Sequence, residues 1–384
     1  MKTSQPDRYL GSGTERVTRL GVGASLVNGR IVPGDVEIAG ARIAAVGVPG
    51  PGHGLAIPAL VDLQVNGYAG VDFAAASPDD YRRAEAALLA DGVAAYQPTI
   101  ATAQEDELVA ALGRAAEAIE CWRPGGARPM GVHLEGPFIS PVRSGIHPLD
   151  AIRQPDMALA ARFFEAAPIT LWTLAPELPG ALELIRWLCG HGVTVSLGHS
   201  DASYTEACAG FEAGASSVTH FFNGMRPLGH RDPGIIAATL LQPRVAIGTI
   251  ADGVHVAAEV LEIVRQVAAP RMYLVTDAVA AARAPDGLYH VGPAEVRSVG
   301  GRVFGEQGRI GGGTTPLLAA IRSLVNAGAP LAWAVRAATS FPARVVGRRD
   351  LGRLRPGATA NLLVVDDNLQ LLKVVAGGVV KIDA

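Results

Sequence analysis

The chain has 384 residues, 49% of them hydrophobic, and 33 basic residues against 36 acidic residues give a net charge of −3. The length suits a large domain with a smaller one attached, and the lack of long basic runs argues against nucleic acid as a partner. No apolar signal segment and no charge-free stretch long enough to span a membrane is found, so the sequence predicts a cytoplasmic protein without a membrane partner. Residues 1–18 are predicted to form a flexible tail.

The two ends of the chain carry the pattern of a small β domain. Residues 19–57 alternate apolar and polar side chains around turn sequences such as VNGR, and residues 351–384 repeat this pattern around a turn at RPGA. Alternation with a period of two is typical of strands that have one buried face. We therefore predict one discontinuous β-sandwich domain, built from both ends, and a larger catalytic domain at residues 58–350.

The larger domain alternates strands with helices. Eight short apolar runs are interpreted as strands: 59–66, 94–100, 130–136, 169–175, 193–199, 216–222, 245–252 and 272–278. Ser77-Pro78-Asp79-Asp80 marks the start of one helix, since it offers an N-cap, a first-turn proline and acidic residues. The alternation predicts an α/β fold of the (β/α)8 TIM-barrel type, although a doubly wound sheet has the same order of elements. The Gly-rich stretch 287–313 predicts a hairpin insertion after the eighth strand.

Four of these strands end in a residue that can bind a metal or transfer a proton. They are Glu135 after MGVHL, His199 after VTVSLG, His220 after SSVT and Asp277 after MYLVT. In a (β/α)8 barrel the C-terminal strand ends meet at one rim, where the chemistry takes place. Two imidazoles and a carboxylate can hold a divalent metal with room for water, whose proton a further Asp can accept. The pattern favours a metal-dependent hydrolase, although each residue alone is more often a structural rim residue or a helix cap.

Further loops hold groups that can contact a substrate. His147 lies in the loop after the third strand, Arg231 beside a turn in GHRDPG, and His255 after the seventh strand. An arginine can bind phosphate through two hydrogen bonds, but a surface position or a loop cap is an ordinary role for each of these residues. The Gly-rich turn IGGG at 310–313 can present backbone N–H groups to an anion, or it is a plain tight turn.

The sequence also excludes several other chemistries. Its three lysines, Lys2, Lys373 and Lys381, lie outside the predicted barrel, so neither a Schiff-base lysine nor a lysine that bridges two metals is available there. It has no G-x-S-x-G elbow, no Walker A loop and no G-x-G-x-x-G after a strand. His133-Leu134-Glu135 has the H-x-E spacing of zinc deaminases, but the P-C-x-x-C partner is missing.

Taken together, the motifs resemble those of one known family. PALVDLQVNGYAGVDF, HLEGPFIS, TLAPE, GHSDASY, THFFNGM, HRDPG, IADGVHV and LVTDA are similar to the motifs of the N-acetylglucosamine-6-phosphate deacetylase family, in the amidohydrolase superfamily. The resemblance implies metal-dependent hydrolysis of the acetamide of N-acetylglucosamine 6-phosphate to glucosamine 6-phosphate and acetate, in amino-sugar catabolism. It also implies a homodimer or a dimer-based oligomer, with some substrate contacts made across its interface.

The resemblance further implies roles for particular residues. Glu135, His199 and His220 would bind one divalent metal per subunit, with Zn2+ as the first choice and Fe2+ or another divalent ion as alternatives, and Asp277 would be the catalytic base. Gln64-Val65-Asn66 stands where other superfamily members carry H-x-H for a second metal, which agrees with a single metal here. The implied substrate contacts are Gln64, Ile146, His147, Asn223, Gly224, Arg231, His255, Ile310, Gly311 and Gly312.

Two departures from the family pattern bear on the choice of sugar. The loop after Asp277 reads AVAAARAPDG, where a proline- and glycine-bearing stretch is expected, and IGGG stands where LAGS is common. The choice between the gluco and galacto epimers is therefore open. The alternative functions are another amidohydrolase, namely N-acetylgalactosamine-6-phosphate deacetylase, a D-aminoacylase or a cyclic-amide hydrolase, and a barrel that has lost its activity and serves as a scaffold.

Overall fold

Residues 17–383 are described by this computed structural model. Its strands are β1 (Val17–Arg19), β2 (Ala24–Val27), β3 (Arg30–Pro33), β4 (Asp35–Ala39), β5 (Arg42–Val48), β6 (Leu55–Pro58), β7 (Leu60–Val65), β8 (Gly67–Tyr68), β9 (Val71–Asp72), β10 (Val93–Ala101), β11 (Arg128–Pro129), β12 (Val132–Glu135), β13 (Ile169–Leu174), β14 (Thr194–Leu197), β15 (Ser217–Val218), β16 (Ala246–Ile250), β17 (Met272–Val275), β18 (Gly287–Val291), β19 (Ala294–Val299), β20 (Arg302–Phe304), β21 (Leu362–Val365), β22 (Leu371–Ala376) and β23 (Val379–Asp383). Its α-helices are α1 (Pro78–Ala90), α2 (Glu105–Cys121), α3 (Met157–Ala166), α4 (Ala181–Gly190), α5 (Tyr204–Ala213), α6 (Gly234–Leu241), α7 (Ala258–Ala268), α8 (Leu317–Asn326), α9 (Leu331–Ala337) and α10 (Ser340–Val345). The predicted tail at residues 1–18 falls mostly outside the described residues, and its last two residues, Val17 and Thr18, lie in β1.

Both chain ends contribute to the small β domain, as predicted. One sheet has the order β23-β22-β21-β6-β2-β3, and a second sheet has the order β1-β4-β5. The link between the ends is the antiparallel pair of β21 and β6, in which Leu362 lies opposite Pro58. The β2–β3 hairpin turns at Asn28 and Gly29, whose φ values of 48° and 80° are both positive, as a type I′ turn requires. The residue numbers at which this domain meets the larger one stay a prediction.

Eight parallel strands close into a barrel, so the predicted fold class is confirmed and the doubly wound alternative is wrong. The strands β7, β10, β12, β13, β14, β15, β16 and β17 are neighbours in that order. The last strand returns to the first, since Val65 pairs with Ala278 in parallel and the Thr276 hydroxyl donates to Asp62 Oδ2 at 2.6 Å. Every residue of β7, β12 and β16 is buried, as expected for parallel strands that are covered on both faces.

The helices cover the barrel and close its N-terminal end. Helix α1 begins where predicted, with a capping box in which the Ser77 hydroxyl accepts from the Asp80 N–H and the Asp80 carboxylate accepts from the Ser77 N–H. Helix α10 lies against the starts of the strands. The hydroxyl of Thr194, the first residue of β14, donates a hydrogen bond to the carbonyl of Val345, the last residue of α10, at 3.0 Å. The C-terminal strand ends are therefore the end of the barrel that is available for a site.

The insertion after the last barrel strand differs from the predicted hairpin. It has three antiparallel strands, because β20 adds to the β18–β19 pair after a turn at Gly300 and Gly301, which both have positive φ. The buried face of the insertion, which includes Val296 and Val303, packs against Ile146 in the loop after β12. The insertion thus reaches from the last strand across the C-terminal rim. Between residues 17 and 383, no helix is both long and apolar enough to cross a membrane.

Candidate active site

The four predicted strand-end residues meet at the C-terminal rim of the barrel. Glu135 is the last residue of β12, while His199, His220 and Asp277 follow the ends of β14, β15 and β17 by two positions. These last three residues have φ values of 46°, 26° and 49°, in the left-handed region that side chains with a Cβ rarely adopt. Strained backbone of this kind clusters at functional sites, where the surrounding structure holds it in place. Three matching bends therefore mark this rim as a constrained site.

Glu135, His199 and His220 form a compact group of potential metal ligands. His220 Nε2 lies 2.9 Å from Glu135 Oε1 and 3.1 Å from His199 Nε2, and His199 Nε2 lies 3.5 Å from the same carboxylate oxygen. Atoms bound at about 2.0–2.1 Å to a tetrahedral zinc ion lie about 3.3 Å apart, so this triangle has the size of three corners of such a ligand set. All three residues are buried. The group fits one divalent metal ion and leaves a coordination position open.

Hydrogen bonds on the far side of each imidazole orient both rings. His199 Nδ1 donates to the Arg143 carbonyl at 2.8 Å, and His220 Nδ1 donates to the Asn223 carbonyl at 3.0 Å. Because a carbonyl only accepts, the proton of each neutral ring is at Nδ1, and the Nε2 lone pairs face Glu135. Two lone pairs and a carboxylate oxygen at such distances repel one another unless a cation lies between them.

The charges of the group agree with this need for a cation. Burial disfavours a charge on His220, but the hydrogen bond to Glu135 outweighs it and raises the pKa of the imidazole to about 9. Burial also opposes the charge of Glu135, yet His199 and His220, when a proton on Nε2 lets them donate to the carboxylate, hold the pKa of the carboxyl well below its usual range. Glu135 is therefore an ionised ligand, and a proton or a metal ion supplies the positive charge beside it.

Gln64, on β7, supports the carboxylate from two strands away in the barrel, with β10 between β7 and β12. Its Nε2 donates to Glu135 Oε1 at 2.9 Å, and its Oε1 accepts from the Thr219 hydroxyl at 2.5 Å. The side chain is buried and is not among the residues that line the cavity above the cluster. The predicted contact between Gln64 and the substrate stays a prediction, while its contact with Glu135 gives it a structural role at the site.

Asp277 lies in the same cavity as the cluster and is held by an amide. Its Oδ1 accepts from Asn66 Nδ2 at 2.8 Å. Burial, followed by the negative charge of Glu135, raises the pKa of the Asp277 carboxyl to about 6. A carboxylate whose pKa is close to neutral can take a proton and return it, as general base and acid. Asn66 was not among the predicted site residues, although its position directly after β7 was a signal of the same kind.

Two further histidines lie at the edge of this group. His147 Nδ1 accepts from the Thr102 N–H at 3.3 Å, and its ring centroid is 4.4 Å from that of His199. Burial lowers the pKa of His147 to about 3, so its ring is neutral and its Nε2 carries a proton that can be donated. His255 Nδ1 donates to Asp252 Oδ2 at 2.7 Å, and this hydrogen bond fixes the orientation of the His255 ring.

One cavity of about 320 Å³ collects most of the predicted site residues. Every predicted site residue except Gln64 and Arg231 lines this cavity, and so do both loop segments, 223–224 and 310–312. This volume lies at the lower end of the range for small-molecule sites and suits a phosphorylated sugar. The glycine at 224 is required by close packing, because a Cβ there would lie 2.9 Å from His199 Nδ1 and the backbone has a φ of 62°.

The positions of two arginines relative to the cavity differ from the sequence-based expectation. Arg231 is exposed in the loop before α6 and does not line the cavity, so its predicted contact with phosphate stays a prediction. Arg309, which the motifs did not single out, does line the cavity, and its Nη1 donates to the Gly145 carbonyl at 2.9 Å. The only sequence signal for Arg309 was its position directly before the IGGG turn.

Comparisons with known proteins identify the family of the chain. Residues 55–381 match the amidohydrolase family. The chain is 37% identical to an N-acetylgalactosamine-6-phosphate deacetylase of Escherichia coli O157:H7, over 83% of this chain and 86% of that protein, and 34% identical to an N-acetylglucosamine-6-phosphate deacetylase of Vibrio furnissii, over 85% and 83%. It is similar in structure to the N-acetyl-D-glucosamine-6-phosphate deacetylase of Mycobacterium smegmatis in complex with N-acetyl-D-glucosamine-6-phosphate, with a TM-score of 0.90 and 32% identity over 96% of this chain and 100% of that one.

Proposed function

The chain belongs to the amidohydrolase family and is a hydrolase, and we propose that it removes the acetyl group from N-acetylglucosamine 6-phosphate, giving glucosamine 6-phosphate and acetate. The observation that carries this proposal is the buried cluster of Glu135, His199 and His220 in one cavity with Asp277. Relatives that match most of the chain are deacetylases of amino-sugar phosphates. A scaffold protein would have no need to hold these ionisable groups in a buried, mutually repelling arrangement.

The residues around the cluster have chemically distinct tasks in this proposal. A divalent ion held by Glu135, His199 and His220, zinc in our proposal, would supply an activated water and polarise the acetyl carbonyl. Asp277 would accept a proton from the attacking water as the water oxygen bonds to the carbonyl carbon, and would give this proton to the amine nitrogen as the C–N bond breaks. Asn66 keeps one oxygen of Asp277 occupied, which leaves the other oxygen for this proton transfer.

The substrate is held by groups that line the rest of the cavity. His147 is neutral and donates from Nε2, so we assign it to the acetyl oxygen, where negative charge develops during the attack. The other cavity residues that the family resemblance implied, Asn223, Gly224, His255 and the segment 310–312, would contact the sugar and its phosphate. We further propose the cytoplasmic location that the sequence predicted and the homodimer or dimer-based oligomer that the resemblance implied. Since Arg231 does not line the cavity of its own subunit, it would make its substrate contact across the interface.

A second candidate substrate is N-acetylgalactosamine 6-phosphate, because one relative is a deacetylase of that sugar. The two substrates differ only in the orientation of one ring hydroxyl, and a site that hydrogen-bonds a substrate hydroxyl discriminates strongly at that position. The D-aminoacylase and cyclic-amide alternatives have no comparable support.

Acetate release from four compounds separates these possibilities. The compounds are N-acetylglucosamine 6-phosphate, N-acetylgalactosamine 6-phosphate, unphosphorylated N-acetylglucosamine and an N-acetyl-D-amino acid. We expect the highest kcat/KM for N-acetylglucosamine 6-phosphate. A higher value for the galacto compound would reverse the order of the two candidates, and release from the amino acid alone would reject both.

A further inference from the structure

We propose that Arg309 binds the negatively charged group of the substrate from within the same subunit. The inference rests on the proposed function, because it takes an amino-sugar phosphate as the substrate. It assigns an anion contact to a residue of the three-stranded insertion rather than to the loops that follow the barrel strands.

The charges that line the cavity favour such a residue. A divalent ion bound by Glu135 would offset the negative charges of Glu135 and Asp277, which leaves the cavity without a net positive charge to attract a phosphate. Arg309 is the one lysine or arginine among the described residues that line it, since Arg231 lies outside. A subunit that takes up a phosphorylated sugar therefore has one fixed cation of its own at the cavity wall.

Arg309 has donor capacity left for a ligand. Its Nη1 donates to the Gly145 carbonyl at 2.9 Å and lies 3.5 Å from the Ser144 hydroxyl oxygen. Its Nε and Nη2 have no hydrogen-bond acceptor, and the guanidinium no carboxylate partner, among the described residues. A guanidinium presents its N–H groups as a planar fork that matches two oxygens of a phosphate.

The position of Arg309 is fixed by a tight turn within the insertion and by contacts with the loop after β12. Its carbonyl accepts from the Gly305 N–H at 2.8 Å, which closes a tight turn at the tip of the insertion. Gly305 packs so closely on the loop after β12 that a Cβ there would lie 2.6 Å from Ile146 Cγ2. The hydrogen bond to Gly145 then ties the guanidinium to the same loop. A cation held in this way needs little reordering to bind an anion.

The contact with Gly145 suggests a competing role, in which Arg309 only fastens the insertion to the loop that carries His147. The two roles differ in their effect on substrates. A loss of fastening would disturb the reaction of every N-acetyl sugar, whereas a loss of anion binding would affect only the phosphorylated one.

The test compares Arg309→Met and Arg309→Lys with Arg302→Met, a control at an exposed arginine of the same insertion. Acetate release is measured with N-acetylglucosamine 6-phosphate and with unphosphorylated N-acetylglucosamine. We expect Arg309→Met to lower kcat/KM for the phosphorylated sugar about 10–100-fold and to change that for the plain sugar less than about twofold. Arg309→Lys should lie between wild type and Arg309→Met, and the control should behave as wild type.

An equal loss with both sugars, or no loss with either, would overturn the proposal. If the wild-type protein releases acetate from neither sugar, the proposed function fails, and titration calorimetry with inorganic phosphate tests Arg309 separately. Binding by wild type and by Arg302→Met, with at least tenfold weaker binding by Arg309→Met, would support the anion site. Equal binding by all three proteins, or binding by none, would reject it.

Discussion

The Nε2 atoms of His199 and His220 lie 3.1 Å apart, although a backbone carbonyl already orients each ring from its Nδ1 side. Neither ring can turn its Nε2 away without breaking that hydrogen bond. The ligands are therefore in place before a metal binds, so the protein loses little conformational entropy on binding and the affinity should be high.

Removal of one imidazole should abolish metal binding. In His199→Ala only two ligands of the cluster remain, which is too few for a stable zinc site in a protein. We expect the metal content, measured by mass spectrometry after dialysis, to fall from about one equivalent to less than about a tenth. The control is His191→Ala, which removes an exposed histidine at the end of α4. Retention of one equivalent by the His199 variant would place the metal elsewhere.

Asp277→Asn should separate metal binding from turnover. The amide still accepts a hydrogen bond from Asn66 through its oxygen, but it cannot take a proton from water. We expect kcat to fall by about 10²–10⁴-fold while the metal content is unchanged. Activity within a few-fold of wild type would remove Asp277 from the proton transfer.

Asp201 should affect the metal site through Arg143. Its carboxylate accepts from Arg143 Nε at 2.8 Å and from Arg226 Nη2 at 3.0 Å, and the Arg143 carbonyl is the group that orients His199. Asp201→Asn weakens this anchor, so we expect the metal affinity, measured by competition with a chelator, to fall by up to about tenfold. Asp232→Asn is the matched control, because Asp232 pairs with Arg226 but not with Arg143. An equal effect of both variants would show that the metal affinity does not depend on the contact between Asp201 and Arg143.

Gly224→Ala should disturb the same histidine by contact. Its new Cβ would lie 2.9 Å from His199 Nδ1, whereas a Cβ at Gly192, which has a φ of 80°, meets no atom within 4 Å. Both substitutions carry a similar backbone cost of about 1 kcal/mol from the left-handed conformation. We expect only Gly224→Ala to lower metal content and kcat. Equal metal content in the two variants would show that the loop moves aside freely.

Glu85 should make stability depend on pH. Burial raises the pKa of its carboxyl from 4.5 to about 7, against a hydrogen bond that the Tyr96 hydroxyl donates to it. The folded protein therefore binds this proton more tightly than the unfolded chain does. The contribution is fully present at low pH and is lost as pH rises from about 4.5 to about 7.

Glu85→Gln removes this ionisation and keeps an oxygen for Tyr96. We expect the variant to unfold with a free energy about 1–3 kcal/mol above that of wild type at pH 8, and to show no such gain at pH 4.5. Denaturant titrations at the two pH values measure the difference. A gain of the same size at both values would show that the effect is not electrostatic.

The fold and the cluster were predictable because their signals are local. An apolar run followed by a histidine or an acid marks the end of a buried strand, and the barrel then brings all such ends to one rim. The Ser77 capping box was readable for the same reason, since its hydrogen bonds span three residues. For Glu135, His199, His220 and Asp277, position along the chain was enough to predict position in space.

The loops were less predictable because distant contacts determine them. Arg309 is placed by a hydrogen bond to Gly145, 164 positions earlier in the chain, and no local pattern encodes that contact. The left-handed backbone at His199, His220 and Asp277 was also invisible, since histidine and aspartate adopt it more often than most residues but still in only a small fraction of cases. Arg231 shows the converse: a motif match alone does not decide whether a loop side chain reaches the cavity.

Acetate release by metal-free and zinc-reloaded protein tests the central claim most directly. The protein is stripped with a chelator, divided, and supplied with N-acetylglucosamine 6-phosphate with or without one equivalent of zinc. We predict release by the reloaded protein and none above background by the stripped protein. Release by the stripped protein at the full rate would contradict the metal's role, and no release by protein that holds one equivalent of zinc would contradict the proposed substrate.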